Sequence, residues 1–198
     1  HVLVAHGVEA WSDTHRLLLP VALRSAKKIL SVSRYTADRL AESFSIPQER
    51  IALLPNTYAE ERFTPGPKSA TLLARYRLHE TQPVILTLSR LDSREQYKGY
   101  DKVLEVFGDL RRVIPDLHYL IAGDGDDRER IEYLIRKLGL EECVTLIGRV
   151  SEEELADHYR VCDLFAMPSS GKGFGIVFLE AAACGKPVLA GNRDGSVD

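Results

Sequence analysis

The sequence predicts an α/β protein of doubly wound, parallel, Rossmann-like sheets, and three observations lead there. From residue 84 to residue 190 short apolar runs alternate with longer amphipathic segments in the order βαβαβαβαβ, a pattern that needs a parallel sheet covered on both faces. Pro or Gly stands at the exit of successive runs, at Gly123, Gly148 and Pro168, as strand ends require. The last quarter, DLFAMPSSGKGFGIVFLEAAACGKPVLAG, reads strand, glycine loop, helix, strand. Such a βαβ unit places ligands beside the loop that leaves its first strand.

Composition narrows the classes of function. At 198 residues, 44% hydrophobic and 28% charged, the chain is an ordinary globular one, long enough for one good core or two small ones. A net charge of −3 argues against nucleic acid as a partner. Cys143, Cys162 and Cys184 sit in apolar surroundings without metal-ligand spacing, which predicts buried free thiols in a reducing, cytoplasmic compartment. No run of eighteen apolar residues and no secretory leader is recognisable.

In chain order, residues 1–5 form a strand that ends at His6-Gly7. The turn leaves His6 at the carboxyl end of the strand, where α/β sheets hold ligands; the alternative is a hydrogen-bonded structural histidine. Residues 17–26, with Arg16, Arg24, Lys27 and Lys28 around them, read as a core helix with a basic end. A cationic membrane-surface helix is the sharper reading, against which Pro20 and the short length count. Residues 29–32 are a strand, Ser33 caps a helix over 35–44, and 51–54 is a strand ending at Pro55-Asn56. TPGPK at 64–68 is the linker candidate, dividing a first domain, 1–63, from a second, 69–198.

The pattern then restarts with a helix at 70–76 and a strand at 84–88. The polar loop SRLDSREQYKG, 89–99, precedes a helix at 100–114. Arg90 and Lys98 bracket that loop and together suit a diphosphate, Arg as a bidentate fork and Lys as a point charge. With Asp92, Arg94 and Glu95 between them, a solvated charged loop is the alternative. A strand at 117–122 leaves through Gly123, and Asp126 or Asp127 is expected to cap the helix that runs to 138. After the strand at 144–147, Ser151 and Glu154 read as a capping box for a helix to Arg160. The strand at 163–167, the loop at 168–175, the helix at 176–184 and the strand at 187–190 complete the chain.

That last loop suits an anion. Gly171, Gly173 and Gly175 let the backbone approach a ligand closely, and the helix beginning at Ile176 adds its free amides and dipole. Glu180 stands as the lone carboxylate between Asp163 and Asp194. The plainer reading makes the glycines turn residues and points Glu180 at solvent. Neither G-x-x-x-x-G-K-[ST] nor G-x-G-x-x-G is present.

GFGIVFLEAAACGKPVLAG resembles the signature of the retaining, nucleotide-sugar-dependent glycosyltransferases of family four, which have the GT-B fold. The resemblance spans nearly the whole chain and is most specific between Arg90 and Gly191. It implies that Glu180 contacts the donor's ribose, that Arg90, Lys98 and Gly99 bind its pyrophosphate, and that His6 reaches the transferred sugar from the first domain. Gly123, Arg149, Val150, Gly173, Phe174, Gly175 and Ile176 belong with the donor site on the same grounds, Arg149 and Val150 facing the nucleobase. Ser33, Thr36, Pro55, Asn56 and Phe63 match further family positions.

The family's first glutamate is replaced by Lys172. A non-catalytic nucleotide-sugar-binding module is therefore the second reading, with a sugar-nucleotide epimerase or phosphorylase of the same architecture as the third. The implied partners are a UDP- or GDP-linked sugar and a glycan, lipid-linked or small-molecule acceptor. No metal or other cofactor is expected, and a peripheral contact with the cytoplasmic face of a membrane would run through the first domain. The chain reads as a fragment holding the end of one domain and most of the next.

Overall fold

A computed structural model describes residues 1–7 and 18–198; Arg16 and Leu17 of the expected basic helix lie outside the described residues. The described chain forms two compact units. One comprises His1–Thr57, Ser169–Ile176 and Gly191–Asp198, the other Tyr58–Pro168 and Val177–Ala190.

In the first unit β1 (Val2–Ala5), β2 (Lys28–Ser31) and β3 (Ile51–Leu53) form a parallel sheet in that order. The helices α1 (Leu19–Ser25) and α2 (Arg34–Phe44) supply its crossovers. Leu23 from α1 and Leu40 from α2 close on Ile29 and Ala5 of the sheet, and all four are buried. The cap read from the sequence is present: Ser33 Oγ accepts from the Thr36 amide at 2.9 Å, satisfying one of the orphan donors of α2. Arg50 fastens the end of α1, donating to the carbonyls of Leu23 at 2.9 Å, Arg24 at 3.0 Å and Ala26.

The second unit opens with α3 (Ala70–Tyr76). Then β4 (Val84–Leu88), α4 (Tyr100–Val113), β5 (His118–Ala122), α5 (Arg128–Leu138) and β6 (Val144–Gly148) alternate. They are followed by α6 (Leu155–Val161), β7 (Leu164–Met167), α7 (Ile176–Ala183) and β8 (Val188–Ala190). The sheet runs β6-β5-β4-β7-β8 with every pair parallel.

Alternation along the apolar strands divides the core in two. Leu86, Leu120, Ala122 and Phe165 face one side with Tyr159 and Phe178, while Ile85, Tyr119 and Ile121 face the other with Phe107 and Ile131. An edge-to-face aromatic row, Phe63–Tyr159–Phe165–Phe178, runs through the first of these at centroid spacings of 5.9, 5.5 and 5.8 Å. The TPGPK stretch lies against α6, with Arg160 donating to the Thr64 carbonyl and hydroxyl at 3.0 Å each. The three cysteines are buried free thiols, and burial pushes the Cys162 thiol up to about 12, leaving it unreactive near neutral pH.

Three local expectations are corrected. The polar loop 89–99 contains a 3₁₀ run, Ser93–Lys98, kinked at Glu95. Neither Asp126 nor Asp127 caps α5: Asp127 holds the N-cap position in an αR conformation without a cap hydrogen bond. Its carboxylate goes to Tyr100 Oη at 2.7 Å and Arg130 Nη2 at 2.6 Å, while Asp126 accepts from the Ser93 amide and hydroxyl. Half of the capping box forms. Ser151 Oγ accepts from the Glu154 amide at 3.4 Å, but the Glu154 carboxylate pairs with Arg75 at 2.6 and 2.9 Å instead. In both places a guanidinium outcompetes a backbone N–H, since charge-assisted pairs are the stronger hydrogen bonds.

Candidate functional site

In the second unit β4 lies between β5 and β7, so the crossovers on its two sides diverge. Ligands of open α/β sheets bind outside the strand ends at such a switch point. The chain leaving β4 is sewn to the exit of β5: the Ser89 amide donates to Ala122 at 2.9 Å, Leu91 to Asp124 at 3.0 Å, and Asp127 back to Leu91 at 2.8 Å. Gly123 makes this approach possible. Its φ is +133°, and a Cβ there would stand 1.7 Å from the Ser89 carbonyl oxygen, so no other residue fits. The Gly123 amide reaches Gly148 at the end of β6, 2.7 Å away. On the other side a Cβ at Gly99 would come within 2.6 Å of the Pro168 carbonyl after β7.

Arg90 and Lys98 meet on this platform. Glu95 lies between them, taking Arg90 Nη2 on Oε1 and Lys98 Nζ on Oε2, both at 2.5 Å. The Arg90 side chain is 74% exposed, whereas Glu95 and Lys98 keep 15% and 10%. The solvated-loop alternative thus fails for Lys98. Arg94 folds back onto Asp92, bonding it at 3.0 and 2.8 Å, and those hydrogen bonds hold the Asp92 carboxyl well below the usual carboxylate range.

Arg149, which follows β6, is exposed; Val150 packs on the Phe63–Tyr159 side of the core. Glu180 on α7 does not simply point to solvent. Its Oε2 accepts from Tyr159 Oη at 2.7 Å. Burial, then the adjoining Glu180 carboxylate, raises the Tyr159 phenol far above its ordinary value, so it stays a donor.

Within the first unit the residues following β7 are held by backbone contacts and one carboxylate. A Cβ at Gly173 would fall 2.1 Å from the His6 carbonyl oxygen and 2.6 Å from Gly7 Cα; His6 and the glycine loop are thus neighbours. Thr36 Oγ1 donates to the Gly173 carbonyl at 3.2 Å. Asp194, fully buried, accepts from Ser169 Oγ and the Lys172 amide at 2.8 Å each and from the Ser196 amide at 2.9 Å. Burial alone would raise this carboxyl; the bonds from Ser196, Lys172 and Ser169 outweigh it and hold it below its ordinary value. Phe174 and Gly175 follow in the same loop, and Ile176 opens α7.

Sequence reasoning missed Asp194 as the organiser of the loop and Glu95 as the bridge between the cations. An Asp-Gly pair just after a strand was the available signal for the first. Among the described residues no group of three or more His, Cys, Asp or Glu is arranged to hold a metal ion, and no helix is long and apolar enough to cross a membrane.

Open parallel α/β sheets hold ligands at strand exits such as these, and comparison with known proteins supplies the family. Residues 69–198 match the model of the family "Glycosyl transferases group 1", and the chain belongs to that family.

The chain is 36% identical over 211 aligned residues to a GDP-mannose-dependent α-(1-6)-phosphatidylinositol monomannoside mannosyltransferase of Mycolicibacterium smegmatis, covering 98% of this chain and 53% of that protein. It is 30% identical to mannosylfructose-phosphate synthase of Agrobacterium fabrum, over 88% of this chain and 39% of that one. Among solved structures, Anabaena Alr3699/HepE in complex with UDP-glucose superposes with a TM-score of 0.84 at 24% identity, over 99% of this chain and 54% of that one. The fold is that of the GT-B glycosyltransferases. The chain spans about half the length of the mannosyltransferase relatives it matches.

Proposed function

We propose that the intact protein is a retaining, metal-independent glycosyltransferase that moves a hexose from a nucleoside-diphosphate sugar to a lipid-linked or small-molecule acceptor. The observation that carries this reading is the meeting of Arg90 and Lys98 on a single carboxylate at the exit of β4: two cations held together at the ligand-binding end of a sheet suit a diphosphate. Family membership supports the reaction class. The relatives named as GDP-mannose-dependent mannosyltransferases support GDP-mannose as donor and a mannosylated phosphatidylinositol as acceptor. A lipid acceptor would bring the enzyme to the cytoplasmic face of a membrane.

In this mechanism the bond between the anomeric carbon and the diphosphate oxygen breaks as the acceptor hydroxyl oxygen bonds to the same carbon on the same face, its proton passing to the departing diphosphate oxygen. Negative charge grows on the leaving diphosphate and positive charge on the sugar ring. Arg90 and Lys98 stabilise the former. Glu180, its rotamer fixed by Tyr159, receives the ribose hydroxyls, and Arg149 and Val150 border the base. The test is transfer from a panel of UDP- and GDP-sugars by the intact protein, in which GDP-mannose should be used best. Absence of transfer from every donor would overturn the reading.

Lys172 carries the second reading, a binding module without turnover. Lys172→Glu separates the two. A rise in turnover of about tenfold or more, with donor affinity little changed, means that the natural residue limits the chemistry. Unchanged or lower turnover means that Lys172 serves this version of the site.

A further inference from the structure

We infer that Glu95 is a tethered competitor for the diphosphate site: it occupies Arg90 and Lys98 while the site is empty and yields them to the donor, thereby setting donor affinity. The inference rests on the reading of these two cations as the diphosphate site. Each oxygen of one carboxylate meets one cation at 2.5 Å, the pattern that two phosphate oxygens would make. The bridge is local and purpose-built. Glu95 is where the 3₁₀ run Ser93–Lys98 departs from helical dihedrals, at φ −112° and ψ 25°, and the bend lets residues five before and three after it share one carboxylate.

The other carboxylates nearby are committed elsewhere: Asp92 to Arg94, Asp126 to Ser93, and Asp127 to Tyr100 and Arg130. Glu95 and Lys98 are also the shielded members of the group. An ammonium this poorly hydrated needs an anion beside it, and in the empty site Glu95 supplies it. A diphosphate offers more charge and more oxygens, so it can take over both cations, but it must displace a carboxylate to do so. The competition weakens donor binding, and it also favours release of the nucleoside diphosphate after transfer.

Glu95→Gln keeps the shape and removes the charge. In calorimetric titration of the intact protein with GDP, UDP and inorganic pyrophosphate, the variant should bind about tenfold tighter than wild type, the size of one charge-assisted contact exchanged. Its thermal midpoint without ligand should fall, because Lys98 loses its anion, and saturating GDP should raise that midpoint by more than it does in wild type. In steady state kcat and KM for the donor should fall together as product release slows.

A strut without competition would instead lose stability and affinity in parallel. Equal or weaker binding by Glu95→Gln overturns the inference. Should that variant fail to fold, Glu95→Asp, too short to span both cations, is judged by the same sign. If wild type binds GDP or pyrophosphate and neither variant binds more tightly, the role of Glu95 alone falls. If wild type and both variants bind none of the probes, the diphosphate reading falls as well.

Discussion

Two loops that follow strands of this protein are each organised by one carboxylate, and they use it in opposite ways. In the stretch after β4, Glu95 faces side-chain cations. After β7, Asp194 faces two backbone amides and a hydroxyl. The first arrangement is exchangeable, because a ligand anion can take the place of Glu95 on Arg90 and Lys98. The second is a fixture: the groups that Asp194 satisfies belong to the loop's own backbone and turn, and leaving them unmade in a buried place costs more than the bond itself contributes. A carboxylate in a loop at a strand exit can thus be a competitor or a strut, and its partners tell which.

The largest effect should come from the exchangeable loop. Arg90→Ala and Lys98→Ala should each lower transfer in the intact protein by about 100-fold or more, the scale of losing one preorganised contact to developing charge; wild-type rates in either variant would remove its assigned role. Next come the glycines that hold the two loops in place. Gly123→Ala drives a methyl into the Ser89 carbonyl and Gly173→Ala drives one into the His6 carbonyl. Each should cost more than about 3 kcal/mol in urea denaturation, and a loss below 1 kcal/mol would mean that the backbone yields.

Asp194→Asn turns one acceptor into a donor, set against the Ser169 hydroxyl and the Lys172 amide if it replaces Oδ2 or against the Ser196 amide if it replaces Oδ1. It should destabilise by about 1–3 kcal/mol and weaken nucleotide binding, opposite in sign to Glu95→Gln. Tighter binding by Asp194→Asn would erase the contrast between the loops.

The smallest effect is that of mild acid. Burial lowers the affinity of His118 and His158 for a proton. His158 Nδ1 donates to the Glu154 carbonyl at 2.7 Å and Nε2 accepts from Tyr76 Oη at 2.8 Å, a neutral tautomer. The unfolded chain takes up these protons first, near pH 6.5. Stability should therefore decline as pH falls from about 6.5 toward the lowered folded values. For Asp127 burial opposes but Arg130 and Tyr100 prevail, so its carboxyl, like that of Asp194, is held below its ordinary value. Both add a further loss as pH drops below about 4. A thermal midpoint that is flat between pH 7.5 and 5 would contradict the histidine part.

Much of the fold was legible because it rests on period and punctuation. The apolar runs, the Ser33 cap and the break at Gly185 declare themselves locally. That Arg90 and Lys98 could share one anion was readable from residue type, whereas the partner they have was not: choosing Glu95 over Asp92 depends on a kink within a 3₁₀ run that no spacing rule supplies. Asp127 and Glu154 were misread for a related reason. Each stands where a cap belongs, yet Arg130 and Arg75 offer stronger partners, Arg75 from a helix distant in sequence. Asp194 offered only the Asp-Gly pair as a local signal, because two of its three partners are backbone amides, which no residue type marks.

The central claim is that Arg90 and Lys98 hold one and the same anion. A double-mutant cycle, Arg90→Ala, Lys98→Ala and the pair, read by calorimetric binding of inorganic pyrophosphate to the intact protein, addresses it directly. Each single change should weaken binding, and the double change should weaken it by less than the sum, with a coupling above about 0.5 kcal/mol. Strictly additive losses, or affinity untouched by either change, would contradict a shared anion.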